Sequence, residues 1–235
     1  MSKVWFITGS SRGLGLAIAE AALNSGASRV LPLALNVTSY EKVTRAVKCG
    51  HEKFGRIDFV VNNAGYANTA SVEDMEIYDF RAQVDANLLG VVYVTKAVPI
   101  VRAQNSDHIF QISSLGGRVS SPGLSAYQCS KWAVGGFSTV LAQEIAPFDI
   151  KITVPPISDP YQPTVGAFVE YLRKANGTEP SLPSKIAQII LKLTTEPDPP
   201  LRLLIGPDAV GYAGKVAEAM SASDAKWCEL SITSA

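Results

Sequence analysis

Short apolar runs alternate with longer stretches of helical periodicity along most of this chain. Val4–Thr8 is a compact apolar run with the character of a buried parallel strand. A glycine-rich turn, Gly9 to Gly15, follows it and leads into Leu16–Leu23, strong helix formers that stop at Asn24-Ser25-Gly26. Val30–Leu35 is a second strand-like run, although Pro32 is awkward for a central strand. Thr38 or Ser39 can cap a helix carrying Val43, Ala46 and Val47 that ends before Gly55. Ile57–Val61 reads as a strand ending in Asn62-Asn63-Ala64-Gly65.

A long helix is expected over Ile77–Arg102, apolar nearly all round in its second half and therefore buried on more than one side. Ile109–Ile112 is a strand ending in two serines. The next helix opens near Leu124 and runs to Pro147. A strand at Ile150–Val154, a proline-rich loop at Pro155–Pro163, and helices at Val165–Ala175 and Ser184–Leu193 come next. A last strand, Leu201–Ile205, and a final helix, Ala209–Met220, complete the pattern. Strands alternating with helices of this length predict an α/β fold with a doubly wound parallel sheet, a three-layer α/β/α arrangement. Such sheets bind ligands beyond the carboxyl ends of their strands, where Gly9, Asn62 and Ser114 all fall.

Composition narrows the class. At 235 residues and 47% hydrophobic, the chain fits a single domain spanning 1–235. The 21 basic and 21 acidic residues balance, which points to neither nucleic acid nor an anionic membrane as partner. Cys49, Cys129 and Cys228 are widely spaced and form no disulfide framework, so a reducing compartment, the cytoplasm, is expected. No secretory segment precedes Val4, and no apolar run reaches the length of a membrane span. His51 and His108 have no partners at metal-ligand spacing; both read as structural, and no metal site is expected. Cys129 reads as a small packing residue.

The candidate chemistry lies in Ser113–Lys131. Tyr127 and Lys131, four apart, project from one helix face. A phenol titrates near ~10, and an ammonium one turn away favours the phenolate, making the tyrosine a proton donor usable near neutral pH. Ser114 sits where its hydroxyl could polarise a carbonyl. Upstream, the strand, glycine loop and helix around Gly9, Gly13 and Gly15 form a phosphate cradle, with free N–H groups at the helix start facing a pyrophosphate.

Taken together, Thr8-Gly9-x-x-x-Gly13-x-Gly15, Asn62-Asn63-Ala64-Gly65, Asn87-Leu88-Leu89-Gly90, and Ser114 thirteen residues before Tyr127 with Lys131 following make the chain resemble the short-chain dehydrogenase/reductase family. The match covers about residues 3 to 154. It implies a Rossmann fold and NAD(P)-dependent hydride transfer between a carbonyl and an alcohol, with a small-molecule substrate. By resemblance the catalytic set is Ser114, Tyr127, Lys131 and Asn87. Tyr127 gives the proton, Ser114 bonds the carbonyl oxygen, Lys131 holds the nicotinamide ribose, and Asn87 anchors a water leading to solvent. The cofactor set is Gly9, Ser11, Arg12, Gly13, Leu14, Gly15, Asn36, Val37, Asn63, Ala64 and Gly65, with Tyr127 and Lys131. Arg12 implies NADP, with NAD the other candidate, because a guanidinium pairs bidentately with a ribose 2′-phosphate. A homodimer or homotetramer is expected, since the two apolar helices would otherwise leave apolar surface exposed. A family-fold protein diverted to non-redox sensing or scaffolding is the alternative.

Three departures from the family pattern stand out. Asn36-Val37 replaces an acidic residue before valine, although an amide oxygen can still accept from adenine. A βα unit is missing near residues 27–28, and a segment with the family's Pro-Gly and threonine is missing near 154–161. Both gaps fall where ligand-contacting loops would lie, which favours pieces left out between the joined residues over a truly abridged protein.

Overall fold

The structure is a computed structural model and describes residues 2–27, 29–96, 99, 103, 108–148, 150–154, 156–157 and 182–233. A four-stranded parallel sheet forms its centre, in the order β1 (Trp5–Ile7), β2 (Phe59–Asn62), β3 (His108–Gln111), β5 (Lys151–Thr153). The register is continuous: Phe6 lies opposite Val60, Val60 opposite Ile109, and Ile109 opposite Ile152. A separate two-stranded pair, β4 (Ser113–Ser114) with β6 (Pro156–Ile157), extends the exit of β3.

The period-two alternation of the strands sorts the core into two layers. Phe59, Val61, Phe110 and Ile112 face α1 (Gly13–Asn24) and α6 (Pro183–Leu193), packing on Ile18, Ala21, Ile186 and Ile190. Val60, Ile109 and Ile152 face the other way, onto Val43 and Val47 of α2 (Tyr40–Phe54), Val94 of α4 (Gly90–Thr95) and Leu141 and Ile145 of α5 (Ser125–Ile145). Ser39 caps α2 by accepting from Lys42 N, and Gly55 closes it at φ 74°. The expected three-layer α/β/α architecture is therefore present.

Several elements differ from the pattern reading. Val30–Leu35 is no strand: it runs as irregular chain, with Val30 66% exposed, so β1 bonds only β2 and lies at the sheet edge. Pro32 lacks the donor a ladder needs, and among the described residues no strand pairs with the run. Leu201–Ile205 likewise forms no extended strand but isolated bridges, at Arg202 to Val154 and at Ile205. The long helix from Ile77 is α3 (Ile77–Val84), a π turn at Asp85–Leu89, and α4. The final helix is longer than expected, α7 (Pro207–Ile232). The expected helix at Val165–Ala175, and Ser28, Pro155 and 158–161 of the expected gaps near 27–28 and 154–161, lie outside the described residues. His108 is structural: its Nε2 lies 2.9 Å from Thr153 Oγ1, and burial holds the ring neutral with its pKa at about 3.

Candidate active site

The carboxyl ends of β1, β2 and β3 meet at one rim, and hydrogen bonds tie them together. Thr8 Oγ1 accepts from the backbone N–H of both Asn63 and Ala64 at 3.0 Å. Asn63 Nδ2 returns the link by donating to Thr8 O at 3.0 Å and Gly9 O at 3.1 Å. The glycine loop is thus stapled to the Asn62–Gly65 turn. Gly9 and Gly13 have φ of 65° and 57°, the left-handed region that favours glycine. At Gly15 a Cβ would lie 2.3 Å from Gly9 O and 2.5 Å from Asn63 Nδ2, so only glycine permits this closure.

Arg12 occupies the N-cap position of α1 in extended backbone and offers no side-chain cap, leaving the first-turn N–H groups open to an anion. Ser11, Arg12 and Gly13 are exposed, while Leu14 and Gly15 turn inward. These residues fit a pyrophosphate: backbone donors converge on a loop whose shape excludes side chains. Thr8 was absent from the expected cofactor set; its place directly before Gly9 was the only signal for its clamping role.

Asn87 stands in the π turn, an irregularity that re-aims one side chain of an otherwise regular helix. It is fully buried, accepts from Tyr66 N at 2.9 Å and donates to Tyr66 O at 2.8 Å. A Cβ on Gly65 would meet Asn87 Oδ1 at 2.7 Å and Lys131 Nζ at 3.7 Å, which places all three residues together.

Lys131 is 4% exposed and donates from Nζ to Ile112 O at 2.9 Å. Desolvation lowers its pKa to about 8. Its Nζ lies 5.6 Å from the centre of the Tyr127 ring. Tyr127 is half-buried one helical turn earlier, as the i, i+4 spacing requires. Ser114 is buried at the end of β4, and its Oγ accepts from Gly116 N at 3.1 Å, so its own proton remains available to an acceptor. Gln128 Oε1 accepts from Ser121 N at 2.8 Å and pins the intervening loop to the tyrosine helix. The structure therefore gathers Ser114, Tyr127, Lys131, Asn87 and Gly65 on adjoining elements.

The segment expected to border adenosine is looser. Asn36 is exposed, and its Oδ1 already accepts from Thr38 N at 3.1 Å and Thr38 Oγ1 at 2.9 Å, closing a local turn. Val37 is anchored more firmly, since a Cβ on Gly90 would lie 2.9 Å from Val37 Cγ2. A buried trio of Asn62, Gln111 and Thr95 escaped the sequence reading: Asn62 Nδ2 donates to Gln111 Oε1 at 2.7 Å, and Gln111 Nε2 to Thr95 Oγ1 at 3.0 Å. Among the described residues no group of three His, Cys, Asp or Glu could hold a metal, and no helix is long and apolar enough to cross a membrane.

Comparison with known proteins bears on this arrangement. A family model described as short chain dehydrogenase matches residues 27–157. Oxidoreductase BOA17 of Botryotinia fuckeliana (strain B05.10) is 62% identical over 274 residues, covering 100% of both chains. That alignment is longer than the 235 residues here, so at least 39 of its positions have no residue in this chain. An uncharacterised oxidoreductase of Schizosaccharomyces pombe, C162.03, is 30% identical over 87% of this chain and 82% of its own length. Among solved structures, a short-chain dehydrogenase from Streptomyces avermitilis superposes with a TM-score of 0.90 at 28% identity, covering 100% of each chain. A metagenomic short-chain oxidoreductase, solved in complex with NADP, shares the fold with a TM-score of 0.72 at 21% identity over 86% of this chain and 96% of its own.

Proposed function

The chain belongs to the short-chain dehydrogenase family, and from that premise we propose that it interconverts a carbonyl and an alcohol with a nicotinamide dinucleotide, NADP in preference to NAD. The observation that carries this reading is the buried Lys131 ammonium, fixed on Ile112 O one helical turn from Tyr127 and beside Gly65 and Asn87. A reduced nicotinamide held here would supply hydride to the carbonyl carbon, and the oxidised form would accept it from the alcohol carbon.

In reduction, Tyr127 delivers its phenolic proton to the substrate oxygen, and the Lys131 charge stabilises the phenolate left behind. Ser114, its lone pair engaged by Gly116 N, donates its proton to the same oxygen and polarises the carbonyl. Lys131 also bonds the nicotinamide ribose. Asn87, with the second lone pair of Oδ1, anchors a water that returns the proton from solvent. The open first turn of α1 and Gly9–Gly15 receive the pyrophosphate, with Ser11 and Leu14 at its edge. Arg12 pairs with the 2′-phosphate, and Asn36, Val37, Asn63 and Ala64 border the adenosine.

The substrate is a small or medium lipophilic carbonyl or alcohol, and the protein works in the cytoplasm as a homodimer or homotetramer. Segments of the family pattern near 27–28 and 154–161 are left out of this single domain. The 39 or more unoccupied positions in the alignment with the Botryotinia oxidoreductase support that reading.

Oxidation of NADPH and NADH over a panel of aldehydes and ketones tests the activity. Tyr127→Phe is expected to abolish turnover while leaving cofactor binding intact, because it removes the proton and keeps the ring. Wild-type turnover in that variant would overturn the mechanism.

A further inference from the structure

Beside Ser114, between α5 and α7, lies a cavity of about 420 Å³. Trp132, Val216 and Met220 give it largely apolar walls, and two guanidiniums, Arg118 and Arg202, border it. Arg118 follows the short turn Leu115–Gly117, held by its N–H on Leu115 O at 2.8 Å, and is half-buried. Arg202 enters through the bridge to Val154 and donates from one nitrogen to Thr139 Oγ1 at 2.8 Å. Among the described residues neither arginine has a carboxylate partner. Both arginines nevertheless line one space, and burial together with Arg202 lowers the Arg118 pKa. Gly136 of α5 leaves the space open, since a Cβ there meets nothing within 4 Å.

Arg118 is half-buried and Arg202 is exposed, and an anion placed between them would meet both positive side chains beside apolar walls. Arginine forks match the planar, bidentate geometry of a carboxylate, and a pocket this size takes a small organic molecule rather than a bare ion. We propose that the cavity lined by Ser114, Arg118, Trp132 and Arg202 is a substrate subsite for a carboxylate carried on an apolar body. The substrate is then an oxo acid or hydroxy acid whose acid end lies against the arginines and whose reacting carbon is directed toward Ser114. This assignment rests on the carbonyl–alcohol reading above.

The test uses 3-phenylpropionate and its neutral counterpart 3-phenylpropanamide as probes on the full chain, by titration calorimetry with and without NADP. The acid is expected to bind at least roughly tenfold more tightly than the amide, the size of one charge-assisted contact. Arg118→Gln is expected to bring the acid down to the amide's affinity. Gly136→Leu, which fills the space and adds a better helix former, is expected to abolish binding of both. In turnover of a neutral aldehyde, the acid is expected to raise KM and leave kcat unchanged. No binding of the acid, equal affinity for acid and amide, indifference to Arg118→Gln, or inhibition that lowers kcat alone would each overturn the subsite. Absence of all carbonyl turnover with acid binding intact would instead overturn the proposed reaction and leave an anion-binding cavity, so the two failures are distinguishable.

Discussion

Lys131→Met is expected to make the protein more stable while removing its activity. The buried ammonium has its pKa lowered from 10.5 to about 8 by desolvation, with a single hydrogen bond to Ile112 O. That difference corresponds to about 3 kcal/mol of destabilisation at pH 7, at ~1.4 kcal/mol per pH unit. Methionine fills a similar volume without charge. It forfeits the bond to Ile112 O, a loss of about 1 kcal/mol. The net gain is about 2 kcal/mol, or roughly 4–8 °C in Tm for a chain of this size.

The pH dependence gives the sharper check. Between about 8 and 10.5 the unfolded chain holds the lysine proton and the folded chain does not. Wild-type stability therefore rises with pH across that window, and the lysine's cost is fully present only below about 8. The variant's advantage should be whole at pH 7 and gone by about pH 10.5. Urea unfolding of both proteins at the two pH values reads this directly, because other titrating groups cancel in the difference. A variant less stable at pH 7, or a difference that does not change with pH, would refute the reasoning. Retained turnover in Lys131→Met would separately remove the residue from the chemistry.

Arg12→Ala should shift the cofactor ratio toward NAD by roughly tenfold or more through loss of NADP affinity; equal losses for both cofactors would mean that Arg12 reads the shared pyrophosphate. Light scattering at micromolar concentration should give at least twice the 25.0 kDa of the chain, because Tyr78 at 66% and Val140 at 57% exposure need cover; a monomer would defeat that reading. The intact mass of the protein made from its natural gene should exceed 25.0 kDa; a mass equal to it would show a naturally abridged chain.

How much was legible followed from how local the signal was. The glycine loop, the Asn62–Gly65 turn and the Tyr127–Lys131 helix face are written in adjacent residues, and the fold places them as their spacing implies. Val30–Leu35 has strand composition, but a strand needs a partner that composition does not supply. Among the described residues no strand pairs with it, and β1 keeps an open edge. The roles of Thr8 and of Asn62, Gln111 and Thr95 come from hydrogen bonds between residues 16 to 56 apart, and no local pattern encodes such a bond. The π turn at Asp85–Leu89 was equally hidden, since its residues keep helical composition and only the backbone bonding changes.

The two ends of the site are built to different standards, and this bears on where cofactor affinity arises. At the proposed nicotinamide end, Lys131, Asn87 and Ser114 are each buried; Lys131 and Asn87 bond the backbone of other segments, and Ser114 caps the short turn that follows it. Such groups lose little freedom when a ligand arrives, so their contacts convert efficiently into affinity. At the adenosine end, Asn36 sits on exposed irregular chain beside an edge strand, its Oδ1 turned into its own turn. Adenine would have to displace those two bonds or use the amide nitrogen, and either leaves little net gain. Val37, wedged against Gly90, still offers an apolar surface at the right place. Affinity should therefore rest on the pyrophosphate cradle and the nicotinamide ribose, and the choice between NADP and NAD on Arg12 alone. A strand paired beside β1 would add an adenosine wall, and Arg12 would then share that choice with it.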